Sequence, residues 1–303
     1  MQTSQPVTKT KLKFSLRTYF RINIKRGLKL RLMFFIGMIA AYIEKSHDFY
    51  GAYVKKITLR GSSGRPRPVE MKQLCAPRME SFQSVAHQGR SRVLSDEEVR
   101  NADFSVANGY LQAAAFLDRV LVEKSQEIST VVNVGCGLDN ISEWLSRNHP
   151  KIHFLSNDTM QDLEEIHRIL LPSYEERTNW QCVPGYQHDL LREGRLKGEL
   201  FYTKSTMAGV FPKELERYIA LLSGVTKYVY FLESWDQPVN TLNLFSLVRP
   251  ENVDIDRPFI SGSGFFYHNF IALFQKHGFD VLTAELYPGP TYTLHILAEN
   301  RNL

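Results

Sequence analysis

Cysteine is scarce in this 303-residue chain. Cys75, Cys136 and Cys182 lie far apart. No metal-ligand or redox spacing joins them, which excludes a disulfide scaffold as the source of stability. Three isolated thiols fit a reducing compartment, so a cytoplasmic location is expected. Long apolar runs are also missing. The stretch from Leu32 to Ile43 has twelve residues. As a helix it covers about 18 Å, against a hydrocarbon core of about 30 Å, and does not span a bilayer unaided. No internal repeat is present. No metal is expected. His149 and His153 are four apart, but Pro150 breaks the helix that would align them. The alternative weighed against that is a single magnesium held by Asp189, Glu233 and Asp236.

Charge of one sign is unevenly spread. Residues 1–60 carry thirteen Lys/Arg against two acids, a net +11, and the remainder carries −6. A basic arm is therefore attached to a mildly acidic body. Three readings of the arm stand. One is an interfacial helix that places Lys25, Arg26, Lys29 and Arg31 near anionic headgroups, with residues 9–45 as the membrane contact. Another is a lid packed on the body, and the third is a targeting segment. Nucleic acid is the less suitable partner, because the arm is aliphatic rather than rich in stacking aromatics. Residues 61–95 read as a linker-like connection, since "RGSSGRPRPVEMKQ" has turn formers and little apolar periodicity. The spacing Ser95–Glu98 predicts a capping box that opens a domain over 96–303.

From residue 129 the pattern alternates strand and helix. "TVVNV", "KIHFLSND", "NWQCV", "GELFYTKS" and "KYVYFLES" read as strands. "DNISEWLSRNH", "DLEEIHRILL", "PKELERYIALLSG" and "YHNFIALFQKHGF" read as helices. Such alternation predicts a parallel sheet covered by helices on both faces. The last two segments, "DVLTAEL" and "YTLHILAE", flank the turn "YPGPT" and predict a hairpin with one antiparallel strand.

The first strand runs into Gly135-Cys136-Gly137. A sharp strand-to-helix bend needs a residue that tolerates positive φ, and a ligand against the backbone needs a position without a Cβ. The following helix aims its positive end at the same place. By itself a Gly-x-Gly is equally a tight turn. The second strand ends at Asp158, about twenty residues on, where dinucleotide folds place the acid that grips a ribose. Asn140 stands where a third glycine would complete Gly-x-Gly-x-x-Gly, which favours a nucleoside without phosphates.

On "VVNVGCGLDN", "FLSND", "LFYTKSTMAGVFPKELERYIALL" and "HNFIALFQKHGFDVL", residues 129–298 resemble the class I S-adenosylmethionine-dependent methyltransferases. The terminal segment is weakly similar to sugar O-methyltransferases. The resemblance implies a Rossmann-like, doubly wound α/β sheet of seven strands with an antiparallel C-terminal hairpin strand, here with an N-terminal helical extension. It implies S-adenosyl-L-methionine as cofactor. Gly135, Cys136 and Gly137 would flank the methionine part, and Asp158 would hold the ribose hydroxyls. The adenine would lie near the segment after the third strand, read as a loop that holds His188 and Asp189, with Lys204 lining the cleft. Two departures stand out. Asn133 replaces an acid, and Asp139 replaces a third close glycine, where it reaches the cofactor's amino group or caps the helix.

Candidates for taking an acceptor proton come from the carboxyl ends of the strands: Glu233, Asp236 and His268. Phe265, Phe266 and Tyr267 are candidates to stack on an acceptor. The expected activity is O-methylation of a small molecule or glycan, with a lipid-linked acceptor suggested by the arm. The alternatives are a nucleic-acid-binding or RNA-modifying protein, a non-catalytic cofactor binder, and an NAD-dependent oxidoreductase.

Overall fold

The computed structural model describes residues 93–104, 109–235, 250–256, 258–260, 266–287 and 292–303. The basic arm, most of the linker, Asp236 and Phe265 lie outside the described residues.

Helix α1 (Asp96–Arg100) opens on the capping box read from the sequence: Ser95 accepts from the Glu98 amide, and the Glu98 side chain accepts from the Ser95 backbone. Helix α2 (Gly109–Glu123) precedes the sheet. The chain then alternates β1 (Thr130–Val134), α3 (Asn140–Asn148), β2 (His153–Asn157), α4 (Leu163–Leu170), β3 (Trp180–Cys182), α5 (Gln187–Arg192), β4 (Leu200–Lys204), α6 (Pro212–Leu222) and β5 (Tyr228–Trp235). Two short strands, β6 (Phe259–Ile260) and β7 (Phe266–Tyr267), pair with each other in a segment that has no strand pattern in the sequence. Helix α7 (Phe270–Lys276) leads into the hairpin β8 (Phe279–Tyr287) and β9 (Tyr292–Asn300).

The sheet order is β3-β2-β1-β4-β5-β9-β8. Strands β1 to β5 are parallel, and β9 inserts antiparallel between β5 and β8. The seven-stranded sheet with an antiparallel terminal hairpin strand is thus as expected.

Side chains that alternate along each strand divide the core in two. Val132, Phe201, Val229 and Phe231 face α5, α6 and α7, meeting Leu190, Leu215, Ile219, Phe270 and Phe274. Val131, Tyr202, Tyr228 and Tyr230 face the other way, onto Leu117, Leu121, Ile141, Leu145 and Ile166 of α2, α3 and α4. Each fully buried side chain of this size contributes about 1.5–3 kcal/mol. Apolar burial on both faces explains why the strands read as near-continuous hydrophobic runs. Among the described residues no helix is long and apolar enough to cross a membrane.

Candidate functional site

The chain reverses its winding at β1. From β1 it moves outward to β2 and β3, then crosses back to lay β4 on the other side of β1. In open α/β sheets the carboxyl ends at such a reversal leave a crevice. A cavity of ≈ 280 Å³ lies there, walled by residues 133 and 135–141 from the end of β1 and 204–206 from the end of β4, with Tyr110 of α2 alongside.

The wall is built by a strained turn on each strand. Gly135 has φ +67 and Gly137 φ +53, the left-handed region that costs an L-residue about 1–2 kcal/mol. A Cβ on Gly135 would sit 2.2 Å from Thr206 Cγ2. The Thr206 hydroxyl fills that space and donates to the Gly135 carbonyl at 3.0 Å. The missing Cβ thus admits a protein side chain, and Thr206 had no signal in the sequence because it approaches from 71 residues away. Opposite, Ser205 holds φ 54, the only positive-φ non-glycine among the described residues. Strain of this kind clusters at ligand sites.

Asp139 is 2 % exposed. Its carboxylate caps α3 by accepting from the Ser142 amide at 2.9 Å, and it also accepts from the Ser156 and Tyr202 hydroxyls. Of the two roles open in the sequence, helix capping is the one seen. Helix α3 begins at Asn140, with Asp139 as its N-cap.

Asp158 follows β2 and accepts from the Gly137 amide at 3.0 Å. The Cys136 amide donates to the Asn157 carbonyl at 3.0 Å, and the Asn157 side-chain amide donates to the Val183 and Gly185 carbonyls. The ends of β1, β2 and β3 are thereby stapled together. Burial, with Asp139 and Asp158 nearby, pushes the Cys136 thiol well above its ordinary range, so it lines the cavity as a neutral group.

Lys204 closes β4 with its ammonium 3.6 Å from the centre of the Tyr110 ring. Burial lowers its pKa to about 8, against the opposing pull of Glu233. Among the described residues its Nζ has no ion-pair partner. On the same wall Asn133, 4 % exposed, has an Oδ1 with no hydrogen-bond partner.

The other candidates stand behind this wall or away from it. Glu233 is 1 % exposed and accepts from the amides of Thr206, Met207 and Ala208 at 3.2, 3.0 and 3.2 Å. Burial nevertheless raises its pKa to about 7. His268 is buried before α7 and bonds the Val210 carbonyl at 3.0 Å, and burial lowers its pKa to about 3. The two grip opposite ends of the turn that follows β4. His188 and Asp189 lie on α5, where the sequence suggested a loop. His188 bonds the Glu214 carbonyl and stacks on Tyr186, while Asp189 pairs with Arg192 at 3.5 Å. Neither lines the cavity. Among the described residues no three His, Cys, Asp or Glu side chains converge as a metal site.

No family model matches this chain, and no curated protein does. Among solved structures, it is similar to magnesium protoporphyrin IX methyltransferase from Synechocystis PCC 6803 with bound SAH. That likeness has a TM-score of 0.50 and 13% identity, covering 73% of this chain and 97% of that one. The N-terminal domain of EvdMO1 with SAH bound aligns at TM-score 0.45 and 14% identity, covering 75% and 98%. At the first of these similarities the fold is shared: the described chain has a Rossmann-like α/β fold in common with that methyltransferase.

Proposed function

We propose that this chain is an S-adenosylmethionine-dependent methyltransferase that modifies an oxygen of a small molecule or glycan. The observation that carries the reading is the cavity at the β1/β4 reversal, bounded by two left-handed glycines, the second of which donates its N–H to Asp158. The cavity's polar groups fit the cofactor. An unpaired amide oxygen on Asn133 suits an ammonium, and the Lys204 ammonium over the Tyr110 ring suits a carboxylate, so one wall complements an α-amino-acid end. The incomplete glycine pattern leaves no cradle for a pyrophosphate.

In this reading Gly135, Cys136, Gly137 and Asp139 form the wall against the methionine part, and Asp158 holds the ribose. When bound, the cofactor supplies an electrophilic methyl on a sulfonium leaving group. The protein's share is alignment and, for a hydroxyl acceptor, removal of a proton. Lys204 meets the cofactor's carboxylate as an ammonium, so its share is binding and alignment rather than proton removal. Glu233 and His268 act behind it by holding the turn that carries residues 204–206.

Calorimetry of the full chain with S-adenosylhomocysteine and with NAD tests the cofactor. Saturable binding of the thioether is expected, and at a hundredfold excess over Kd it should stabilise the fold by about 2.7 kcal/mol. Binding of NAD with none of the thioether would replace this reading with a dehydrogenase. A screen of sugars and phenols with radiolabelled methyl donor then addresses the acceptor.

A further inference from the structure

Gly137 closes the bend that follows β1, and its peptide groups are held from two directions. Its N–H donates to Asp158 Oδ2 at 3.0 Å. Its carbonyl, outside the ladder of α3, meets His167 Nε2 of α4 at 2.9 Å. The His167 ring is 0 % exposed and packs against Tyr174 and Trp180. Its other nitrogen, Nδ1, is 3.0 Å from Cys182 Sγ of β3. A carbonyl can only accept, so Nε2 must carry the proton. Nδ1 is then an acceptor, and the Cys182 thiol is its donor. Burial raises the Cys182 pKa to about 12, which keeps it a thiol. Burial also lowers the His167 pKa, which keeps the ring neutral. The Tyr174 hydroxyl accepts from the Cys182 amide at 3.1 Å and ties the same strand to the turn after α4.

We infer that His167 is a positioning residue for the cofactor loop: through Nε2–H it fixes the Gly137 carbonyl, and with it the left-handed bend whose Gly137 N–H is held by the Asp158 carboxylate. The inference rests on the methyltransferase reading for the identity of that ligand, and on the distances above for the clamp. His167 touches neither cavity nor reacting atoms. Its effect passes through Gly137. The side-chain amide of glutamine extends about as far as Nε2, whereas that of asparagine stops near Nδ1. Reach therefore separates the variants where bulk does not.

The test compares wild type with His167→Gln, His167→Asn and His167→Leu in the full chain, well below each variant's melting temperature. The clamp predicts that Gln binds S-adenosylhomocysteine within about threefold of wild type. It predicts that Asn and Leu weaken binding about tenfold or more and raise KM for the methyl donor more than they lower kcat. Equal affinities in Asn, Leu and wild type, with only the melting temperature lowered, would overturn it. Nitrogen NMR of the wild-type ring gives a readout that needs no ligand and no variant. A neutral Nε2–H tautomer is expected, and the Nδ1–H tautomer overturns the clamp. If wild type takes up no S-adenosylhomocysteine, the cofactor reading fails while the tautomer still decides the clamp.

Discussion

At the scale of single residues, Gly135 and Thr206 make the sharpest claim. Gly135→Ala faces two costs of different origin. The left-handed backbone costs about 1 kcal/mol for alanine. The new Cβ also lands 2.2 Å from Thr206 Cγ2, a clash that forces the two strand ends apart. Gly135→Ala should therefore lose more than about 2 kcal/mol of stability in urea unfolding. In the double variant with Thr206→Gly the clash disappears, and the double-mutant cycle should show a favourable coupling. Additive effects would mean that Thr206 swings away at no cost. This pair also marks how far the sequence reaches. Both glycines were legible, because a strand that turns abruptly into a helix places a local demand on φ. Thr206 was not, because its approach depends on how β1 and β4 align across the sheet. Asp139 was half legible: capping is local, but its bonds to Ser156 and Tyr202 need β2 and β4 in place.

At the scale of elements, the strands and long helices were legible because alternation and helical periodicity recur over several turns. Helix α5 was not. It has six residues, and only Leu190 and Leu191 carry an apolar signal beyond its first turn, too little to distinguish a helix from a loop. The reading of His188 and Asp189 as loop residues failed there for that reason. The two-residue strands β6 and β7 escape the pattern in the same way. Glu233 illustrates the converse. Its position at the end of β5 suggested a base, yet its carboxylate serves as the anchor for three amides of the turn after β4. Glu233→Gln keeps an acceptor for Thr206 and Met207 but turns an NH₂ toward the Ala208 amide, a loss of about 1–3 kcal/mol where a buried donor is left unsatisfied. The pH dependence follows from the raised pKa. The folded state holds the proton up to about 7, and the unfolded state releases it near 4.5. The stabilisation is complete below the unfolded value and disappears as pH rises through the folded one. The advantage of wild type over Glu233→Gln in denaturation midpoint should thus shrink between about pH 5 and about pH 8. An advantage that grew with pH would show that the three amides outweigh burial and hold the group ionised.

At the scale of the whole molecule, two apolar layers stabilise a sheet whose carboxyl edge is furnished with groups that weaken it. Asn133 leaves a buried oxygen unpaired, Ser205 sits in a strained conformation, and Lys204 is a half-buried amine whose desolvation outweighs the pull of Glu233. Proteins retain such features where a ligand completes them. Lys204 allows the trade to be measured. Its folded pKa is about 8, against 10.5 for a lysine side chain in water. Between those values the unfolded state binds more protons, so stability rises with pH across that window, and below it the fold bears the whole cost of burying the charge. Lys204→Met keeps a flexible chain against Tyr110 and deletes the charge. It should be more stable than wild type at neutral pH in urea unfolding, with the gap closing as pH approaches about 10. It should also bind S-adenosylhomocysteine more weakly and lose methyl transfer. If Lys204→Met is instead less stable at neutral pH, the ammonium's contact with the Tyr110 ring outweighs its desolvation, and Lys204 belongs to the scaffold. Gain of stability joined to loss of binding is the signature of a side chain held at this edge for a ligand.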